Sequence, residues 1–457
     1  MEEKELKGKM KRKISVIGAG SGMFSLNLIK DLCLTPNLRD SEICFMDIDP
    51  ERLEASYTLC KRYSEETGVE LLITKTTDRE ECLQGADFIL NTVLIGGYKG
   101  WKEGWDLGKK WGYRFGGSMH IMHDEAFWIN FYQLRMMEEI LLDIKRICPD
   151  AWYIMIANPV MAGITYLKRK YPEVKLVGLC HGFGGVYNLA RELKMDRKDI
   201  SYEIPGVNHF VWLNSFRYKG EDAMPLLQKW VEEKAEEYGD HCKFSDGLGH
   251  KPVDLYKKYG VFPIGDTANP GGGAWGSWYH TGPEVEKRWN EDPDRWFKEY
   301  FDSSMASVEK VKNAAYDRTK KVTELIPTEH STEPMIPIIE SLACDIERVI
   351  ILNTLNDGEY VPGVPKDFEV EIPAVVSGRG IQGLRTKPLP KAVISRMYRD
   401  RIAPVEMELA AYSSHNKELL IDLIMMDPFN RTKEQAEGFL EDILNLPYHR
   451  EMKEYYK

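Results

Sequence analysis

Short hydrophobic runs alternate with amphipathic segments through the first 200 residues of the chain. Each run is uninterrupted, as in strands that are buried on both faces of a sheet, and a segment with helical spacing follows it. Because strands separated by helices form parallel sheets through crossover connections, this order predicts a doubly wound α/β domain of the Rossmann type. The predicted strands are residues 13–17, 43–47, 86–93, 152–156 and 175–179.

The second half of the chain follows a different pattern. Helical segments rich in Trp, Tyr and Met surround a glycine-rich stretch, residues 269–273, and a strand-like run, residues 348–353, and the C-terminal part is strongly helical. The sequence SYEIPG interrupts the pattern between the two halves. We therefore expect a Rossmann domain in residues 1–204 and a second α+β domain, for substrate, metal and oligomerisation, in residues 205–457.

Composition limits what the chain can bind. Its 61 Lys and Arg residues against 72 Asp and Glu residues give a formal net charge of −11. A general nucleic-acid-binding function is not expected, because phosphate neutralisation needs a basic excess. No window reaches the roughly 18 consecutive apolar residues of a membrane span, and the first residues lack the apolar core of a signal peptide. We expect a cytoplasmic protein with no membrane or nucleic-acid partner.

The turn GAGSGMF after the first predicted strand has the position of a nucleotide-binding turn. Gly18 and Gly20 let the backbone approach a pyrophosphate, whose charge meets the free N–H groups of the following helix. The third glycine of G-x-G-x-x-G is absent, since Met23 occupies its place and Gly22 comes one residue early. Asp47, 27 residues after Gly20, ends the second strand, where a carboxylate accepts from ribose hydroxyls.

A carboxylate at this position repels a 2′-phosphate, so the pattern predicts NAD rather than NADP. The alternative interpretation is a glycine turn in an α/β fold without a cofactor. The expected cofactor-binding residues are Gly18, Gly20, Ser21, Gly22, Asp47 and Asn91.

A cysteine at the sheet edge where ligands bind and a histidine beyond the predicted domain break are candidate metal ligands. Cys180 follows the fifth predicted strand, and His209 comes 29 residues later in the segment GVNHFVWL. A thiolate and an imidazole can hold a divalent transition metal and leave positions free for substrate oxygens. The alternative is a buried cysteine and a hydrogen-bonded structural histidine. The other seven cysteines stand singly without a CxxC pair, which predicts reduced packing residues.

Two further polar residues are candidates for the site. Asn158 precedes Pro159, where its amide can orient a sugar hydroxyl or the nicotinamide, or form an ordinary Asn-Pro turn. Asp266 lies in the loop YGVFPIGDTANPGGG, where it can act as a general base or as a turn former. The residue types alone leave both alternatives open.

Taken together, these motifs resemble the family 4 glycoside hydrolases, which are exceptions to the two-carboxylate scheme of glycosidases. The resemblance covers nearly the whole chain and rests on GAGS, FMDIDPERL, ADFILNTVLIGG, ANPV, CHGF, GVNHFVWL, Gly265–Asp266 and NDGEYVPGVPKDFEVEIPAVV. It implies a lactate/malate dehydrogenase-like fold, a tightly held NAD and a divalent cation, usually Mn²⁺. The implied reaction oxidises C3 of the sugar, removes the C2 proton, eliminates the aglycone, adds water and reduces C3 again, so the net reaction is hydrolysis.

Carried over residue by residue, the resemblance implies Cys180 and His209 as the metal ligands. His181, which follows the cysteine, matches a position that contacts substrate and serves as the acid. Asn158 matches the sugar-binding asparagine of the family.

The same resemblance implies Asp266 as the catalytic base, with Tyr259 in reserve because members acting on 6-phosphorylated sugars often use a tyrosine. The chain departs from the family after Asp266, where TANPGGG replaces a histidine-bearing, acidic continuation. It departs again in GYRFGGSMHIMHDEAFW, where many members carry a Gln-Glu element. The polar residues there are candidates for sugar contacts or for the acid, Asp124 being equally suited to cap a helix: His120, His123, Asp124 and Glu125.

The residues after Cys180 also bear on the substrate. Cys-His-Gly resembles the α-uronidases of the family, which implies cleavage of α-galacturonides or α-glucuronides, with neutral α-galactosides or α-glucosides as the nearest alternative. A uronate carboxylate needs a cation, and Lys99, Arg114 and Arg379 are the candidates. An NAD-dependent hydroxy-acid dehydrogenase and a non-catalytic NAD sensor are alternatives of other classes. Lactate dehydrogenase-like proteins commonly assemble, so we expect a homodimer or homotetramer.

Overall fold

The computed structural model describes residues 11–114, 126–243, 246–273 and 275–456. Its strands are β1 (Lys13–Ile17), β2 (Glu42–Met46), β3 (Leu72–Thr76), β4 (Phe88–Asn91), β5 (Trp152–Met155), β6 (Leu176–Gly178), β7 (Ile200–Glu203), β8 (Gly206–Val207), β9 (Phe210–Leu213), β10 (Ser215–Tyr218), β11 (Glu221–Asp222), β12 (Phe262–Ile264), β13 (Arg348–Leu355), β14 (Glu369–Ser377) and β15 (Gly380–Gly383).

The helices of the described residues are α1 (Met23–Cys33), α2 (Pro50–Glu66), α3 (Arg79–Leu83), α4 (Gly97–Lys110), α5 (Phe127–Ile147), α6 (Val160–Lys170), α7 (Gly185–Glu192), α8 (Met224–Glu233), α9 (Ala235–His241), α10 (His250–Tyr259), α11 (Pro283–Trp289), α12 (Pro293–Tyr316), α13 (Val322–Leu325), α14 (Met335–Cys344), α15 (Lys391–Met397), α16 (Ala403–Ser414), α17 (Lys417–Met425), α18 (Lys433–Leu444) and α19 (Arg450–Tyr455). None of the helices in these ranges combines the length and the apolar character that crossing a bilayer requires.

The first six strands form a parallel sheet in the order β3-β2-β1-β4-β5-β6. Alternate residues of a strand belong to different hydrophobic clusters: Ile43 and Phe45 to one, Cys44 and Met46 to another. Both faces of the sheet are therefore covered, which explains why its strands are uninterrupted hydrophobic runs. The Rossmann-type doubly wound sheet that the sequence predicts is confirmed. The hydrophobic pattern does not predict β3, because this edge strand buries only Ile73.

The second half of the chain extends the same sheet with antiparallel strands. β13 pairs with β6, and β14, β8, β9 and β12 follow outward in that order. This extension gives β6 a partner on its outer side, where it would otherwise present unpaired backbone groups. One row of paired residues crosses four strands: Gly178 faces Asn353, Asn353 faces Glu371, and Glu371 faces Gly206. The row lies at the carboxyl end of β6, where the predicted site residues follow.

Candidate active site

Cys180, His209 and Asp266 lie together at the carboxyl end of β6. Cys180 follows β6, His209 lies in the turn between β8 and β9, and Asp266 follows β12. The Nε2 atom of His209 is 3.8 Å from Oδ2 of Asp266, and the imidazole is near enough to the Cys180 thiol to lower its pKa. The structure thus brings the predicted metal ligands and the predicted base into one site.

Burial of its sulfur raises the pKa of the Cys180 thiol, and the neighbouring His209 imidazole opposes this shift. The backbone N–H of Gly182 donates to Sγ at 3.2 Å. The described ranges contain no group of three or more His, Cys, Asp and Glu side chains arranged to hold a metal ion. The site therefore offers one sulfur and one nitrogen, a donor set that suits a divalent transition metal whose other positions are filled by ligand oxygens.

A close contact between two turns places Asp266 beside Cys180. Gly265 has a φ of 60°, and a Cβ atom at this position would lie only 2.4 Å from the carbonyl oxygen of Gly182. Only glycine satisfies both the left-handed backbone and this approach. The turn after β12 is therefore packed directly on the turn after β6.

A buried polar network supports the turn that carries His209, whose φ of 59° is unusual for a residue with a side chain. The backbone N–H of Asn208 donates to Glu369 at 3.0 Å, and its side-chain amide donates to Glu371 at 3.0 Å. Asn353 donates to both carboxylates, at 2.7 and 3.1 Å. Burial raises the pKa of Glu371, and its hydrogen bonds and His209 oppose that shift. These hydrogen bonds hold the turn between β8 and β9, which carries His209, in place.

The residues of this network are absent from the candidates that the sequence analysis identifies. The sequence contains a signal for them, because Glu369 begins and Glu371 interrupts the otherwise hydrophobic strand β14, and Asn353 is a polar residue within β13. Acidic side chains are almost never fully buried without partners, so such positions indicate a specific polar site.

Replacing Asn353 by Ala should lower the free energy of unfolding by about 1–3 kcal/mol, because Glu369 and Glu371 each lose a buried donor. Urea unfolding followed by circular dichroism measures the change. Asn445→Ala is the matched control, since Asn445 is exposed and hydrogen bonds to Glu441 on the surface. Equal midpoints for the two variants would contradict a stabilising role of the network.

His181 lines a cavity of about 410 Å³ that also contains Asp266, Tyr187 and Thr332. Its side chain is exposed, and its Nε2 atom contacts the hydroxyl of Thr332. The imidazole and the Asp266 carboxylate therefore face one space, as a general acid and a general base acting on one substrate require. Among the described residues, neither Lys nor Arg lines this cavity.

The cations that the sequence analysis proposes for a uronate lie elsewhere. Arg114 donates to Glu286 at 3.0 Å, and Arg379 donates to Glu347 at 3.2 Å on the surface. Lys99 lines a separate cavity of about 290 Å³. The structure does not bring any of the three to His181.

Asn158 follows a strand of the sheet, whereas Tyr259 is the last residue of a helix. Asn158 follows β5, and its main-chain carbonyl accepts from Gln133 at 2.6 Å. Tyr259 ends α10, and its ring packs edge-on against Trp212 at 5.7 Å between centroids. No described contact joins Tyr259 to Cys180. Several polar candidates lie outside the described residues: His120, His123, Asp124 and Glu125.

The turn between β1 and α1 has the geometry of a nucleotide site. The backbone N–H of Gly20 donates to Oδ2 of Asp47 at 2.8 Å, and that of Asp49 donates to Oδ1 at 3.0 Å. The Ser21 hydroxyl is buried without a hydrogen-bond partner in the described residues. A cavity of about 380 Å³ beside Gly18 and Asp47 adjoins the turn. A buried hydroxyl without a hydrogen-bond partner, the N-terminus of a helix and an aspartate at the end of a strand are features that fit a bound dinucleotide.

Gly22 and Asn91 are the two remaining residues that were expected to bind the cofactor. Gly22 precedes the first residue of α1. Asn91 is fully buried, donates to the Tyr153 hydroxyl at 2.8 Å and accepts from the backbone of Val93 at 3.1 Å. Its side chain thus shapes the turn after β4 from within the core and does not face the cavity.

Comparison with known proteins finds similarity over nearly the whole chain. A family model described as Family 4 glycosyl hydrolase matches residues 13–195, and that of its C-terminal domain matches residues 204–430. An α-galactosidase of Bacillus subtilis (strain 168) is 26% identical over 453 residues, which cover 95% of this chain and 96% of that protein. An α-galacturonidase of Lachnoclostridium phytofermentans is 26% identical over 468 residues, 95% of each chain.

Among solved structures, a 6-phospho-β-glucosidase from Thermotoga maritima, with manganese, NAD⁺ and glucose-6-phosphate, has a TM-score of 0.74 to this chain. The two are 19% identical, and the match covers 97% of this chain and 99% of that chain. At this identity the likeness shows a shared fold.

Proposed function

Because this chain belongs to the family 4 glycosyl hydrolases, we propose that it hydrolyses α-linked glycosides with bound NAD and a divalent cation, Mn²⁺, and that α-galacturonides are its substrates. Family membership confirms the resemblance seen in the sequence motifs. The observation that carries the proposal is the meeting of Cys180, His209 and Asp266 at the carboxyl end of β6. A solved relative of the same fold holds manganese and NAD⁺.

Each residue in the proposal holds a group or moves a proton. The Cys180 thiolate and the His209 imidazole would hold the cation, and the turn from Gly18 to Gly22 with Asp47 would hold the dinucleotide. When bound, NAD supplies reversible oxidation at C3 of the sugar, and the cation supplies stabilisation of negative charge on the neighbouring oxygens.

The remaining residues act on the sugar itself. Asp266 takes the proton from C2, which is removable near neutral pH only while the adjacent carbon is a carbonyl. His181, which lines the same cavity as Asp266, gives a proton to the departing glycosidic oxygen. The Asn158 amide orients a sugar hydroxyl. We further propose that the chain forms a homo-oligomer.

The sequence Cys180-His181-Gly182 and the alignment with α-galacturonidases support a uronide as substrate. A second candidate is a neutral α-galactoside, which two observations favour. An α-galactosidase is equally similar in sequence, and the described lining of the His181 cavity contains Asp246 and Asp266 but neither Lys nor Arg. Aryl α-galacturonide and aryl α-galactoside assayed in parallel separate the two candidates.

The test of the reaction is incubation of the aryl glycoside with enzyme, NAD⁺ and Mn²⁺ under reducing conditions in D₂O. We expect sugar release without net NADH and with one deuteron at C2. Stoichiometric NADH would favour a hydroxy-acid dehydrogenase instead. Release that needs no metal and leaves C2 unlabelled would refute the elimination route.

Substitution of Gly20 by Ala should weaken NAD binding by about tenfold or more, roughly 1.4 kcal/mol. A Cβ atom at Gly20 would lie 2.5 Å from Oδ2 of Asp47, so the turn and the carboxylate must move apart. Isothermal titration calorimetry with NAD⁺ measures the affinity. Gly282→Ala is the matched control, because no atom lies within 4 Å of a Cβ placed there. Unchanged affinity in Gly20→Ala would show that this turn does not hold the dinucleotide.

A further inference from the structure

A groove of about 540 Å³ opens beside the His181 cavity. The groove and the cavity share Tyr187 and Thr332 in their linings. The hydroxyl of Thr332 contacts the His181 ring, so the groove begins at the residue proposed to protonate the departing oxygen. A substrate with its cleaved sugar at His181 would continue into this space.

Aromatic rings form one wall of the groove. The hydroxyls of Tyr187 and Tyr202 are 3.0 Å apart, and the ring of Phe183 is stacked on that of Tyr202 at 6.5 Å between centroids. Val349, whose side chain is exposed, lies on the lining as well. Apolar rings with a few polar atoms at fixed positions are typical of small-molecule sites.

Basic residues outnumber acidic ones in the groove lining, in contrast to the chain as a whole, whose net charge is −11. Arg197, Lys198 and Arg348 line it, while Glu333 is the acidic residue of the lining, and burial raises the pKa of its carboxyl. Lys198 and Arg348 each have an acidic partner. No ion pair joins Arg197 to another side chain within the part of the chain that the structure describes.

We propose that this groove binds the aglycone of the substrate when the aglycone is itself a uronic acid, and that Arg197 pairs with its carboxylate. The inference rests on the proposed function for the position of the cleaved sugar, and it adds the class of the group to which that sugar is linked. A guanidinium that is free of ion pairs can receive a carboxylate bidentately without losing an existing partner. The Arg197 charge also offsets locally the repulsion that an acidic protein exerts on an anionic oligomer.

Binding of α-1,4-digalacturonate tests the groove. Calorimetry with NAD⁺-loaded protein in chelator, which prevents turnover, should show affinity about tenfold weaker for Arg197→Gln than for the unaltered protein. Val349→Asp should weaken binding as well, because it adds a negative charge at an exposed position. Arg191→Gln, an exposed arginine of α7 outside the groove, is the matched control. Added NaCl should weaken binding more in the unaltered protein than in Arg197→Gln.

Equal affinity of Arg197→Gln and the unaltered protein, or no binding of digalacturonate by either, would overturn the groove assignment. Hydrolysis of aryl α-galacturonide, measured separately with Mn²⁺, reports on the proposed function alone. In the active enzyme, Arg197→Gln should lower the ratio of kcat/KM for digalacturonate to kcat/KM for the aryl glycoside about tenfold. A ratio equal to that of Arg191→Gln would count against the groove.

Discussion

Replacing Cys180 or His209 by Ala is expected to reduce turnover by roughly a thousandfold or more, because each removal takes away one of two protein donors at the site. Asp266 is the further acidic side chain described at this site, with its Oδ2 atom 3.8 Å from Nε2 of His209, and the described ranges contain no cluster of three or more His, Cys, Asp and Glu side chains arranged to hold a metal ion. Binding of NAD should persist, since Gly20 and Asp47 lie in a different turn. Mn²⁺ affinity, measured by electron paramagnetic resonance, should fall together with turnover.

Matched controls separate loss of the donor from loss of folding. Cys344→Ala and His241→Ala remove a partly exposed cysteine and an exposed histidine at positions away from the site. Both should retain Mn²⁺ binding and turnover. Full activity of the unaltered protein in chelator, or unchanged Mn²⁺ affinity in Cys180→Ala, would refute the metal site.

Asp266→Asn is expected to lower kcat by about 10²–10⁴-fold, the range for loss of a positioned general base. The amide keeps the size of the side chain and the packing of Gly265 on Gly182, but it cannot accept the C2 proton. Exchange of deuterium into C2 should fall as far as kcat does, whereas Mn²⁺ binding should remain. The measurement that tests the role of Asp266 is therefore the rate of deuterium exchange into C2, and not the stability of the variant.

Two further variants test whether the effect is specific to Asp266. Asp246→Asn removes another carboxylate that lines the same cavity, and its effect on exchange should be much smaller. Tyr259→Phe tests the reserve candidate for the base. A larger loss of C2 exchange in Tyr259→Phe than in Asp266→Asn would assign the base to the tyrosine.

Local sequence patterns predicted the parallel half of the fold closely. Residues 13–17 form β1 as expected, and Pro50 begins α2 after Asp49, whose side chain accepts from the backbone N–H groups of Glu51 and Arg52. Such signals depend on neighbours within a few residues, such as a buried run, a capping side chain or a glycine turn. Cys180 was found in the same way, since it follows a predicted strand, whereas His209 and Asp266 were singled out by residue type and by the resemblance of their motifs.

The antiparallel extension and the network behind His209 could not be predicted in this way. Asn353, Glu371 and Gly206 meet only because β13, β14 and β8 add to the outer side of β6 in one register. A strand's own sequence shows that it will be buried, but it does not show which strand it will pair with. The same holds for the cations, since residue type alone indicated Lys99, Arg114 and Arg379, and the fold places none of them in the lining of the His181 cavity.

The sequence by itself determined the parallel sheet, the nucleotide turn and the residue types of the site, because strand burial, turns and helix starts are local properties of the chain. The tertiary structure decided which of these residues meet, what supports them and where the charges lie. Those properties follow from strand register and from turn contacts such as Gly265 on Gly182. They join positions that are far apart in the chain, and their free energy appears only when the sheet is assembled.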